Sequence, residues 1–208
     1  MKKTARWMGN FLLVAGIGLL IWQFAGSRQV DNKRNEQLEA FASLKAEAGE
    51  RLKADQSGAA QPGEAAAAGN KELGDIEGVL SIPQIDIRVP VAYGATPEIL
   101  DQGFGAIPNM DEPGEQDGSY AIAGHQSHVF GEFFNRLDEL ETGSRFAFET
   151  PAEEQTYEVY DIQIVDPEQV EAIARESGKA KLSLVTCYPK NSDKHRLIVM
   201  AERVDPSS

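Results

Sequence analysis

The chain has 208 residues, 41 % of them hydrophobic, enough for one compact domain with an appendage but not for two large domains. Lysine and arginine total 20 against 33 aspartate and glutamate, a formal net charge of −13. A surface that acidic argues against nucleic-acid partners, because duplex affinity comes largely from cations meeting phosphates, and its plain consequence is solubility.

The first element is Trp7 to Ala25 (WMGNFLLVAGIGLLIWQFA), uncharged throughout and preceded by Lys2, Lys3 and Arg6 in residues 1–6. As a helix it spans roughly 28 Å, close to the hydrocarbon thickness of a bilayer. Trp7 and Trp22 stand near its ends, where amphipathic rings favour the interface. A cleaved signal peptide is the competing reading, but cleavage after Ala25 would put Gln23 at position −3, where a small residue is wanted. The expectation is an uncleaved anchor over 7–25. Arg28, Lys33 and Arg34 follow the span, so charge only leans towards N-terminus in and the remainder outside.

Residues 26–74 read as a juxtamembrane helix and spacer. NEQLEAFASLKAEAGERLK (35–53) is rich in helix formers, with Leu38, Phe41, Leu44 and Leu52 as a partial apolar stripe. Residues 54–74 are mostly Ala, Gly, Gln and Glu with one Pro, and nothing there can fill a core.

A folded domain is expected over 75–205. Its pattern is short apolar stretches between turn signals: 76–82, 85–93, 118–125, 145–149, 156–165, 181–187 and 196–204. In TYEVYDIQIV the alternation changes face between Val159 and Tyr160, which predicts a bulge. Brief helical pieces are expected at Pro97 to Gln102, about Gly131 to Leu137, and Pro167 to Arg175. There is no βαβ alternation and no internal repeat. The expected class is therefore mainly β: a mostly antiparallel barrel or sandwich with short helices.

Cys187 is the lone cysteine, so no intramolecular disulfide is possible, and the thiol is either buried and inert or reactive. His125 ends the strand YAIAGH, Cys187 ends LSLVTC and Arg196 starts RLIVMA. Strand ends are held by the sheet yet open to its rim. A thiol attacks an amide carbonyl only as thiolate, which a neighbouring imidazolium or guanidinium stabilises. Histidine can hand a proton to the leaving amine, and arginine can hold an oxyanion without losing its own proton. Cys, His and Arg thus suffice for acyl transfer through a thioester. Spacing alone leaves His128 and His195 as rival bases, and Arg136, Arg145 and Arg203 as rival cations.

The stretch AIAGH, then LVTC about sixty residues on, then Arg196 nine residues after Cys187, resembles the sortase family. The family signature TLxTC reads here Ser183-Leu184-Val185-Thr186-Cys187, with Ser183 where threonine is usual. The segment FFNRLDELETGSRFAF, with Leu137, Leu140 and Gly143, resembles the family's region after the histidine, and the likeness covers residues 76 to 204. The resemblance implies an eight-stranded sortase β-barrel, one strand more than the pattern displays. It also implies a membrane-anchored, extracellular cysteine transpeptidase of a Gram-positive type of envelope. Such an enzyme cleaves an LPxTG-like sorting signal between Thr and Gly, holds the acyl part as a thioester on Cys187, and passes it to a cell-wall amine such as that of lipid II. Carried over position by position, His125 is acid and base and Arg196 steadies substrate and oxyanion. Thr186 would shape the substrate site. LVTC, Tyr188-Pro189 and the short gap to Arg196 resemble class D, whereas FFNRLDEL and a single anchor also suit class A. Class C usually carries a lid and a second span, which this sequence does not display.

Some class A sortases bind calcium near the loop before the histidine. Here Asp111, Glu112, Glu115 and Asp117 occupy it, and carboxylate oxygens suit a hard cation. Only Asp117 matches the calcium pattern well, so the expectation is an ordinary acidic loop, with no required metal and no cofactor. Two rivals remain. A chymotrypsin-like cysteine protease shares the chain order but needs about two barrels, and a papain-like enzyme places its cysteine first. A non-catalytic, membrane-anchored β-domain acting as a binding module would keep Cys187 inert to alkylation in the native state.

Overall fold

The computed structural model describes residues 35–50, 71–126 and 133–205. The expected anchor over 7–25 and most of the spacer lie outside these residues. Among the described residues no helix is long and apolar enough to cross a membrane. The chain divides into two compact units, Met1–Gln37 and Leu38–Ser208. Of the first, the described residues 35–37 begin a helix; the second continues that helix (α1, residues 35–50) and holds the barrel.

Eight strands follow: β1 (Ile76–Ile82), β2 (Ile87–Tyr93), β3 (Phe104–Ala106), β4 (Ser119–Gly124), β5 (Arg145–Glu149), β6 (Glu154–Val165), β7 (Lys181–Tyr188) and β8 (His195–Val204). They close into a barrel in the order β1-β2-β3-β4-β7-β8-β6-β5. Most neighbours are antiparallel, but β2–β3 and β4–β7 are parallel. The strand absent from the sequence pattern is β3, three residues long and too short to display a period. The bulge expected at Val159/Tyr160 is present, as a register shift in the β6–β8 ladder between Val159 and Asp161.

The period of two sorts side chains between core and outer face. Leu80 and Ile82, Ile87, Val89 and Val91, Tyr120 and Ile122, Phe146 and Phe148, Leu182 and Leu184, and Leu197 and Val199 all enter one core. A second covered surface lies outside the barrel: Ala121, Ser183, Ile198 and Met200 have the opposite parity and are also buried. The β6–β7 connection covers this surface. Its 3-10 turn, Val170–Ile173, contacts β4 and β8. Ser119 Oγ donates to the Ile173 carbonyl at 2.7 Å, and Lys181 Nζ donates to those of Ala172 and Ala174 at 2.7 and 3.1 Å. Burial lowers the Lys181 pKa. A cleft of about 570 Å³ beneath the connection is lined by Tyr160, Gln169, Lys181 and Met200 among others, and not by His125, Cys187 or Arg196.

The short helix α2 (Pro97–Leu100) starts at a proline whose ring pre-sets its φ, and the Asp101 amide donates to the Pro97 carbonyl at its end. The parallel β2–β3 pair needs close backbone approach. A Cβ on Gly105 would lie 2.1 Å from the Gly94 carbonyl oxygen, and Gly94 itself sits at φ 108. Residues 71–74 are already bonded to the domain: Lys71 pairs with Glu77 (2.6 Å) and Glu112 (2.8 Å), and the Gly74 amide donates to the Tyr93 carbonyl.

Candidate active site

The site is built where β4, β7 and β8 meet at one rim of the barrel. In the antiparallel β7–β8 ladder Cys187 pairs with Arg196 and Tyr188 with His195. Cys187 shares the outer face with Ser183 and Val185, and Arg196 shares it with Ile198 and Met200, so both side chains leave the sheet on the same side. The parallel β4–β7 ladder pairs Ala123 with Val185. Carried two residues further, that register sets His125 level with Cys187. Thr186, buried between them in sequence, donates through Oγ1 to the Gly124 carbonyl at 2.8 Å. The three residues singled out from sequence thus fall on adjacent strands, at one end and on one face.

The surroundings of each differ. Cys187 is partly buried, at the depth where a thiol is reachable yet held. The Arg196 guanidinium folds back on the β7–β8 turn, donating through Nη1 to the Asp193 carbonyl at 2.9 Å and to its neighbour His195's at 3.1 Å. His125 Nε2 lies 3.2 Å from Asp101 Oδ1, and its ring meets Phe133 edge-on at 6.2 Å. Asp101 was not singled out from the sequence; no motif marks it, since it reaches His125 only through the fold.

The rivals are placed elsewhere or engaged otherwise. His128 lies outside the described residues. His195 stands opposite Tyr188 and contacts Asp166 at 3.1 Å. Arg136 bonds Glu139 and Asp86, Arg145 on β5 bonds Glu158, and Arg203 on β8 pairs across from Tyr157 and bonds Glu153. Of these arginines, Arg196 alone faces Cys187 across a ladder.

The acidic loop is tied to protein partners. Asp111 accepts from Arg175 through both oxygens and from the Ser119 amide, and that guanidinium, with the amide, holds its carboxyl below the usual aspartate range. Asp117 accepts from the Gly178 amide, Glu112 from Lys71, and Glu115 from the Glu112 amide. Among the described residues no group of three or more His, Cys, Asp or Glu could hold a metal ion.

Comparison with known proteins identifies the family. The sortase domain family matches residues 80–204. Sortase D of Bacillus subtilis (strain 168) is 30 % identical over 198 residues, covering 93 % of this chain and 96 % of the relative. Sortase A of Bacillus anthracis is 27 % identical over 195 residues, covering 93 % and 91 %. Among solved structures, Clostridium perfringens sortase C with the C-terminal cell wall sorting motif superposes with a TM-score of 0.63 at 25 % identity, covering 86 % of this chain and 95 % of that one. Nothing in these likenesses supports a non-catalytic binding module. The chain belongs to the sortase family and is a cysteine transpeptidase built on an eight-stranded β-barrel.

Proposed function

We propose that Cys187, His125 and Arg196 carry the reaction and that the substrate is an LPxTG-like sorting signal, cut between Thr and Gly. The observation that carries this reading is the pairing of Cys187 with Arg196 on β7–β8, with His125 level with them just past the end of β4. The Cys187 thiolate attacks the threonine carbonyl carbon. Arg196, swung from the turn, donates to the oxyanion of the tetrahedral intermediate. His125 gives its proton to the departing glycine nitrogen, and a thioester remains on Cys187. An incoming amine then attacks the thioester carbonyl, loses its proton to His125, and leaves joined to the substrate as Cys187 departs. A cell-wall precursor amine of the lipid II kind is the acceptor in this reading. Thr186 sets the spacing of the two strands that present His125 and Cys187, and so shapes the substrate site.

The sorting motif held by the Clostridium perfringens relative supports the substrate class. Relatives named sortase D and sortase A are both similar over most of the chain, and the class stays between these two. The proposed setting is a single-pass membrane protein with residues 7–25 as anchor, residues 26–74 as spacer and the catalytic domain, 75–205, outside the cell.

The test is to incubate the full-length protein in detergent with a quenched LPxTG peptide, with and without an amine nucleophile, and to follow enzyme and products by mass spectrometry. Cleavage between Thr and Gly, a thioester mass on Cys187 and an amine-linked product are expected. Absence of cleavage across a panel of motif variants, with native Cys187 inert to alkylation, would overturn the reading.

A further inference from the structure

The β3–β4 ladder is antiparallel and pairs Phe104 with Gly124. Residues that precede Phe104 therefore run alongside those that follow Gly124. Asp101, three positions before Phe104, is brought to His125 in this way. It is held there by the end of α2, where its own amide donates to the Pro97 carbonyl at 2.8 Å. Its Oδ1 lies 3.2 Å from His125 Nε2. The imidazole also meets the edge of Phe133, 6.2 Å away. One ring nitrogen is thus engaged by a carboxylate, and among the described residues no hydrogen-bond partner stands against the other, Nδ1.

From this geometry we infer that Asp101 is a positioning residue for the transfer reaction: it accepts the Nε2–H of His125 and so leaves Nδ1 as the atom that exchanges the proton. The inference rests on His125 being the acid and base. Its proton balance is simple. In acylation Nδ1–H passes to the leaving glycine nitrogen and the ring becomes neutral, its remaining proton on Nε2 and directed at Asp101. In deacylation the incoming amine returns a proton to Nδ1. Asp101 stays ionised throughout, fixing the tautomer and stabilising each imidazolium. The side chains of His125 and Asp101 are 44 % and 74 % exposed, so in the free enzyme water competes for the contact and the pair adds little to folding. A sorting peptide lying over the site displaces that water and strengthens the contact when the proton moves. The effect therefore belongs in kcat and not in stability.

The experiment uses Asp101→Ala, Asp101→Glu and His125→Ala in the full chain, with steady-state kinetics on the LPxTG peptide, thermal melting, and ring ¹⁵N spectra of histidine-labelled protein. The chain has only three histidines, so the His125 ring signals are readily assigned by difference. Asp101→Ala is expected to lower kcat by about tenfold, a modest share of the gain that positioned acid–base groups give. KM and melting temperature should move little, the Nε2–H tautomer signature should be lost, and Asp101→Glu should restore part of the rate. Unchanged kcat and an unchanged tautomer in Asp101→Ala, with His125→Ala inactive, would overturn the inference while leaving the function intact. Full activity in His125→Ala would overturn the assignment of the base itself, and this inference with it. If Asp101→Ala folds poorly, Asp101→Asn is read by the same kinetics and spectra. A normal rate and spectrum in that variant count against a role for the carboxylate charge.

Discussion

Thr186 Oγ1 donates to the carbonyl of Gly124 across 2.8 Å, so the residue before Cys187 is tied to the residue before His125. This bond lies in buried surroundings and joins two parallel strands at the point where their ladder ends. Thr186→Val keeps the shape and removes the donor, leaving the carbonyl unpaired from that side. The expected loss is about 1–2 kcal/mol of stability, read by denaturant midpoint. Turnover should fall as well, because His125 and Cys187 lose their tie. A variant with wild-type stability and rate would show that the ladder alone sets the spacing.

Arg196→Lys tests the cation facing Cys187. Lysine keeps the charge but not the planar fork. A loss of at least about 2 kcal/mol in transition-state stabilisation is expected, in line with deletion of one oxyanion donor. Single-turnover kinetics of acylation check it. Cys187→Ala should abolish the thioester and all turnover, and near-normal Arg196→Lys acylation would remove Arg196 from its role.

Gly124 has no room for a side chain. A Cβ there would lie 2.8 Å from ring atoms of both Phe104 and Phe134, which themselves meet edge-on at 4.5 Å. Gly124→Ala should cost about 1–3 kcal/mol by overpacking and displace His125 with it. Lowered thermal stability together with lowered turnover is the expected pair of results.

The β6–β7 connection is held to the β3–β4 loop by Arg175 on Asp111 and by the Gly178 amide on Asp117. The Asp111 pKa is depressed, by the Arg175 hydrogen bond first and the Ser119 amide second. A carboxyl depressed in the folded state adds stability above its unfolded value, about 3.9, and loses that contribution as pH falls through its lower folded value. Acid below about pH 4 should therefore loosen this clasp, seen as faster amide exchange in residues 170–178. Asp111→Asn should show fast exchange already at neutral pH.

The same partners bear on calcium. Asp111 and Asp117 are engaged by protein donors, so added calcium is expected to leave turnover unchanged. A clear rise with calcium, abolished by Asp117→Ala, would refute this.

Much of the barrel was legible because period-two alternation is a local property. β5 (RFAFE) and β8 (RLIVMAERV) read directly, and the β6 bulge announced itself where Val159 and Tyr160 break phase. β3 was not legible, since three residues carry no period and its pairing with β2 and β4 comes from tertiary closure. His125, Cys187 and Arg196 stood out as polar ends of apolar runs, but choosing them over His195, Arg145 or Arg203 needed the family signature or the ladder. Asp101 was silent because its proximity to His125 arises from the β3–β4 register.

The parallel pairing of β4 with β7 also separates chemistry from chain length. His125 and Cys187 sit at the same end of adjacent strands, although about sixty residues intervene. Those residues include β5, β6 and three connections, and the chain returns at the opposite end of β7. The gap between His125 and Cys187 is thus set by two strand lengths measured from a common floor. A change in the length of connections such as 166–180 therefore leaves that gap unaltered.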